Sequence, residues 1–276
     1  MHKLPKPKEK MNLTYRRKKT LAVVACLFAL FLIFASWYFY DRFSYAKPLP
    51  MYSVSKAKDS VLTIGIIGDS WVFEKKLDSF LKSDLLKNTV NARIISCGHP
   101  GAKTKIIYQN LFADNLSANS SKFIIENRPD YCIVVTGVND AIAQIDDQNY
   151  AYHVQQIIKT LLHYKIKPLV VSMPQFGVGE TINDLDYFSK TRNTLTAHYN
   201  NDGELNSIET YRKALLQDLL VSQLKDSIIL INFDKITPDY SKNPEYYLNA
   251  SHLNAKGNQQ LSRVISNELI KQIQNL

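Results

Sequence analysis

The chain has 276 residues, 45% of them hydrophobic, enough to build a sizeable core in one large domain or two small ones. Its formal charge of +9 is concentrated at one end: residues 1–19 hold eight Lys or Arg and one acid, Glu9, leaving only +2 for the rest. A nearly neutral body offers no basic groove, so the composition excludes nucleic acid as a partner.

Behind the basic tail (residues 1–20) comes Leu21–Tyr40, without a charge, Gly or Pro. About 20 apolar residues match the thickness of a bilayer core. The run is longer than the roughly 7–15 residues of a cleavable leader, and no clear A-x-A site follows, so it reads as a retained transmembrane signal anchor. Trp37, Tyr38 and Tyr40 gather at its far end, where amphipathic rings favour the interface. By the positive-inside rule the tail stays in the cytoplasm, opposed weakly by Arg42 and Lys47, and the body faces the periplasm or cell exterior.

Residues 41–60, with Pro48 and Pro50, read as a linker, and residues 61–276 as one domain. There, short apolar runs alternate with amphipathic stretches. The runs are Val61–Gly68, Ala92–Ser96, Tyr131–Thr136, Pro168–Ser172 and Ser227–Phe233. Continuous apolar runs suit strands buried on both faces of a parallel sheet. Helices are expected near 71–87, 103–127, 148–164, 185–223 and 255–274. Together these predict a doubly wound α/β three-layer sandwich with about five parallel strands. The segment Gln175–Asn206, carrying Phe176, Tyr187, Phe188 and Tyr199, is longer than a crossover needs and reads as an insertion near the mouth of the site.

Cys26 falls in the apolar span. Cys97 and Cys132 fall in predicted strands that, if they flank a central one, stand about 9–10 Å apart, too far to bridge. All three are expected to be free thiols.

In open α/β sheets ligands bind beyond the carboxyl ends of the strands. After the first run stands Gly68-Asp69-Ser70, a serine at a strand-to-helix turn; the same letters also suit an ordinary helix cap. The second run is followed by Cys97-Gly98-His99-Pro100-Gly101, the third by Gly137-Val138-Asn139-Asp140, and Ser251-His252 precedes the last helix. Each alone could be turn chemistry.

In that order, Ser, Gly, Asn and His resemble the SGNH/GDSL hydrolase family over residues 61–276. Gly68-Asp69-Ser70 matches its first motif, Gly101 (with Gly98 as second choice) its second, and Gly137–Asp140 its third, Gly-x-Asn-Asp. The resemblance implies a serine esterase of flavodoxin-like architecture. Ser70 would be the nucleophile, His252 its base, and the Ser70 N–H, Gly101 N–H and Asn139 amide the oxyanion hole. It implies no metal and no organic cofactor. The final motif departs: three residues before His252, where the family has Asp, stands Asn249. An amide oxygen can accept the ring N–H but adds no charge, and its NH₂ could favour the wrong tautomer. Three readings follow: a Ser–His pair oriented by Asn249 or a backbone carbonyl, an acid such as Asp239 or Glu245 in its place, or an impaired site that binds without cleaving. His99 keeps a reservation as a neighbour of the second motif, and His2, His153, His163 and His198 read as surface or packing residues.

Three functions compete. One is hydrolysis of a small acyl ester or of O-acyl groups, O-acetyl among them, on an extracytoplasmic glycan. Another is O-acyl transfer in cell-envelope polysaccharide modification beside a membrane acyltransferase partner. The last is a binding protein.

Overall fold

The computed structural model describes residues 7–55, 57–58, 60–74, 76–205, 207–235 and 239–274. The chain divides into two compact units, Met1–Ser44 and Tyr45–Leu276. The described part of the first unit is a single helix, α1 (Pro7–Phe43), that takes in part of the basic tail as well as the apolar run. Its window Arg17–Trp37 has a mean hydropathy of 2.4 and, among the described residues, is the one stretch long and apolar enough to cross a membrane.

The second unit runs β1 (Thr63–Gly68), α2 (Ser70–Phe73), α3 (Lys76–Lys87), β2 (Arg93–Gly98), α4 (Thr104–Asn110), α5 (Lys122–Glu126), β3 (Tyr131–Val135), α6 (Val138–Ile142) and α7 (Asp147–His163). It continues with β4 (Lys167–Val171), α8 (Val178–Asn183), α9 (Tyr187–Asn200), α10 (Ile208–Val221), β5 (Ile229–Ile231), β6 (Tyr247–Asn249), β7 (His252–Leu253) and α11 (Ala255–Gln274). Five strands form one sheet in the order β2-β1-β3-β4-β5, every neighbouring pair parallel. The doubly wound α/β fold read from the apolar runs is the fold observed. Every residue of β1 and β3 is buried, as central strands covered on both faces require. From β1 the chain goes outward to β2 and then returns across β1 to β3. The direction of winding therefore reverses between β1 and β3, and the crevice beyond their carboxyl ends is the expected ligand site.

Three of the expected helices are interrupted. The 103–127 stretch is α4 and α5 with a loop between, because polar side chains there capture backbone N–H groups: Asp114 Oδ1 accepts from Leu116 and Ser117 Oγ from Asn119. The 185–223 stretch breaks where Gly203 takes a φ of +86°. The 71–87 stretch divides after Phe73.

Much of 45–52, within the segment read as a linker, is held against the body. The Ala46 N–H donates to His153 Nε2 (3.0 Å) and the Leu49 N–H to the Tyr108 hydroxyl (2.7 Å). Tyr52 exchanges two bonds of 2.8 Å with the Tyr164 hydroxyl. Those backbone groups find partners on α4, midway along α7 and at its end, so this stretch is a strap and not a free tether. Cys97 on β2 and Cys132 on β3 flank β1, and none of the three cysteines is in a disulfide.

Candidate active site

Ser70 opens α2 at the carboxyl end of β1, with Asp69 as the cap: its Oδ1 accepts the Trp71 N–H at 3.1 Å. The turn is tight because Gly98 lets β2 approach. A Cβ there would lie 2.2 Å from the Phe73 nitrogen and 2.7 Å from the Asp69 carbonyl oxygen. Gly98 is thus a packing residue, whereas Gly101, at φ +73°, has nothing within 4 Å of an added Cβ. Its open face suits a group meant to meet a substrate.

His252 reaches Ser70 from the other end of the chain. Its Nε2 lies 3.0 Å from Ser70 Oγ, and its Nδ1 lies 3.0 Å from Asn249 Oδ1. The same Asn249 atom accepts the backbone N–H groups of Ser251 (3.0 Å) and His252 (2.9 Å). Two fixed backbone donors aimed at one atom require it to be the carbonyl oxygen, not the NH₂. A proton on Nδ1 completes the contact with that oxygen and turns the Nε2 lone pair toward the Ser70 hydroxyl; the Ser251 hydroxyl, 3.2 Å from Nδ1, is a second neighbour of the same atom. The tautomer hazard of an amide at this position is removed by the local turn, and what is missing is the negative charge. The other candidate acids are engaged elsewhere: Asp239 accepts from Ser241, and Glu245 pairs with Lys256.

Asn249→Asp keeps that acceptor geometry and adds a charge beside the imidazolium formed in the reaction. Asn249 is solvent-exposed, so screening holds the gain to about tenfold in kcat. Ester turnover by the purified variant checks this, and a fall in kcat would mean that the neutral amide serves another purpose.

The loops are tied together by residues that sequence reasoning passed over. The Trp71 indole N–H donates to the Ser251 carbonyl at 2.8 Å in a buried contact, joining the serine turn to the histidine loop. Asp140 accepts both the N–H and the hydroxyl of Thr104 at 2.9 Å, fixing the start of α4 behind Gly101. Of these, Asp140 was signalled by the Gly-x-Asn-Asp motif; nothing local marked Trp71. Asn139 stands on the first turn of α6, its Nδ2 donating to the Ala102 carbonyl (3.2 Å) and, more weakly, to Asp69 Oδ2 (3.4 Å). A shallow cleft lined by Ser70, Trp71, Glu74, His252, Leu253 and Asn258 opens at the Ser70 hydroxyl.

The insertion contributes no residue to that lining. Its first turn packs on the histidine loop through the Gly177 N–H and the Ala250 carbonyl (2.8 Å), with Phe176 buried, while Tyr187, Phe188 and Tyr199 lie exposed on α9. Of the remaining histidines, His99 turns its ring to Ser121 and Cys97, and His153 is fully buried under the strap. His163 and His198 are exposed, and His2 lies outside the described residues.

Two buried carboxyls flank the site. Burial, reinforced by Asp140, pushes Asp69 up to about 7 against the Trp71 and Asn139 donors, and burial pushes Asp140 up to about 6. Both folded values lie above the ordinary carboxylate range, so the folded state keeps protons that the unfolded chain releases. Their contribution to stability is therefore lost as pH rises from about 4 to about 7. Burial pushes His153 down to about 4, which acts in the opposite sense between about 4 and 6.5. Burial also raises Asp147 and Asp218 and lowers His99, so four raised carboxyls stand against two lowered histidines, and with the higher ceiling of Asp69 the thermal midpoint is expected several degrees higher at pH 5 than at pH 8. Calorimetry across that range checks the sign, and a midpoint that climbs with pH would mean that Asp69 is ionised in the fold.

No protein-family model matches the chain, and no curated protein matches it. Solved structures do. A GDSL-like lipase from Bacteroides thetaiotaomicron superposes with a TM-score of 0.54 at 12% identity, over 76% of this chain and 88% of that one. The acetyl xylan esterase AlAXEase gives 0.52 at 20% identity, over 75% and 99%. An acetyl-xylooligosaccharide esterase from Geobacillus gives 0.52 at 12% identity, over 78% and 96%. Likeness at these identities shows the fold, and the body of this chain has the SGNH/GDSL hydrolase fold.

Proposed function

We propose that the chain is a membrane-anchored serine ester hydrolase that removes O-acyl groups, O-acetyl among them, from an extracytoplasmic glycan. The observation that carries the reading is the 3.0 Å approach of His252 Nε2 to Ser70 Oγ, with Nδ1 held by an oxygen that cannot be an NH₂. Ser70 Oγ attacks the ester carbonyl carbon as His252 Nε2 takes its proton. The tetrahedral oxyanion is met by the Ser70 and Gly101 N–H groups and the Asn139 amide. The alkoxide leaves with the proton returned by His252, giving an acyl-serine, and water activated by the same imidazole releases the acid. No step calls for a metal or cofactor.

Residues 21–40 serve as the anchor, with the basic tail inside and the body outside. The shallow cleft, with Glu74 and Asn258 on its walls, favours a short acyl group on a polar carrier over a long acyl chain. Two structural neighbours are named for acetylated xylan or its oligosaccharides, which supports the same choice. The test is labelling of the full chain with a fluorophosphonate, and acetate release from acetylated oligosaccharides. A chain that neither labels nor releases acid from any small acyl ester ends this reading in favour of a binding protein. The anchor favours a second reading, transfer of the same acyl group to a glycan hydroxyl beside a membrane acyltransferase. Products formed with an acceptor oligosaccharide separate the two.

A further inference from the structure

Helix α9 is turned inside out. Its buried positions are Asn193, Thr196 and Ala197, while its large apolar side chains face solvent. Tyr187 is 77% exposed, Phe188 82%, Leu195 66% and Tyr199 90%. At 3.6 residues per turn, Phe188, Leu195 and Tyr199 fall on one narrow stripe. Tyr187 extends it, its ring standing edge-on to Phe188 at 5.8 Å between centroids. An amphipathic helix normally directs such side chains to the core, so four large apolar residues left in water, with only Thr191 and Arg192 between Phe188 and Leu195 on that side, mark a surface meant for another phase or partner.

The place of α9 on the body suggests which. Asn200 and Asn201, at its carboxyl end, bond the backbone and side chain of Gln144. Tyr45, the first residue of the body, feels the charges of Asp146 and Asp147 and packs its ring on Tyr152. The stripe and the point where the chain leaves the body thus lie on one edge of it, close to residues 144–147. That edge is also where α6 carries Asn139. The apolar window ends at Trp37, α1 continues to Phe43 and the body begins at Tyr45, so about 16 Å of chain joins the two. A lipid surface is therefore within reach of this edge by chain length alone. Tyr and Phe suit that surface, where one side of the ring is apolar and the other wet. Asp184, Asp186, Asp202 and Glu204 around the helix offset Lys190 and Arg192, so apolar area and not charge drives the contact.

We propose that α9 lies in the lipid–water interface through Tyr187, Phe188, Leu195 and Tyr199, holding the Ser70 edge of the sheet at the lipid surface. The inference rests on the anchored reading above. It narrows the substrate class to esters presented at or near the membrane surface.

The test uses the full chain in phosphatidylcholine liposomes, with Trp37→Phe to silence the span and Leu195→Trp as the reporter. Measured as the difference from the Trp37→Phe parent, whose emission comes from buried Trp71, the emission added by the residue-195 reporter is expected to fall about twofold in brominated phosphatidylcholine, independent of salt. A reporter from Leu116→Trp, 95% exposed on the loop before α5, is expected to stay unquenched. Adding Tyr187→Ser, Phe188→Ser and Tyr199→Ser is expected to abolish the quenching at 195 while the chain still floats with the liposomes. Equal quenching of the two reporters overturns the proposal and leaves the stripe to a protein or a second copy. A chain that does not float at all overturns the anchor itself, and this contact with it.

Discussion

Ser70→Ala and His252→Gln are each expected to lower ester turnover by about 10⁴–10⁶-fold, and the double variant is expected to lower it no further. The large single effects follow from the bond between the two side chains, 3.0 Å from Oγ to Nε2. A serine hydroxyl without a base is a poor nucleophile at neutral pH, and a base without the hydroxyl has nothing to activate. Because the pair acts as one unit, either loss removes the whole covalent route. What remains is the oxyanion site acting on water. Both side chains are only half-buried at the rim of the sheet, so neither change opens a cavity in the core, and circular dichroism should leave the variants indistinguishable from the native chain. The readout is kcat with a small acyl ester, joined to fluorophosphonate labelling, which Ser70→Ala abolishes and His252→Gln slows in proportion. If His252→Gln kept activity within tenfold of the native chain, the imidazole would not be the base, whatever its distance.

The strands were legible because burial on both faces leaves a plain mark. Thr63–Gly68 and Tyr131–Val135 contain almost nothing but β-branched and small residues, and the sheet needs them so. Ser70, Gly101 and Asn139 were legible for a related reason: each follows a strand, and parallel topology brings strand ends to a common edge, whereas His252, in β7 of the small antiparallel pair, was marked only by its place before the last helix. Helix interruptions were harder, because Gly203 in a long polar stretch and the Asp114–Asn119 turns look like the solvent face of a helix until side chains are seen taking the backbone N–H groups. The strap was illegible, since nothing near Ala46 or Tyr52 indicates that a histidine and a tyrosine more than 100 positions later will accept their amides. The same limit hid the Trp71 link to Ser251, which spans 180 positions. Asn249 is the instructive case. Its letter alone left the tautomer open, and only the two backbone donors of its own turn decide which atom faces the ring. Local hydrogen bonds settled what composition could not.

Asn139→Ala is expected to lower kcat by about 10²–10³-fold with little change in KM, the signature of a donor used only in the transition state. In the resting site both Nδ2 protons are directed at protein oxygens, Ala102 O at 3.2 Å and Asp69 Oδ2 at 3.4 Å. The longer contact is the weaker, and a developing oxyanion, fully charged where the Asp69 carboxyl is not, takes that proton as the carbonyl becomes tetrahedral. Burial keeps Asp69 largely protonated below about 7, so no full negative charge competes for the amide at that stage. Asn139→Asp is therefore the harsher change. It replaces a donor with a carboxyl beside two others, Asp69 and Asp140, and any ionised fraction repels the oxyanion outright. The contrast separates catalysis from packing. A purely structural Asn139 would lose activity only as far as the fold loosens, with Tm and KM moving together. If Asn139→Ala lowered kcat less than threefold at unchanged Tm, the amide would not face the developing charge, and its bonds to Ala102 and Asp69 would be its whole role.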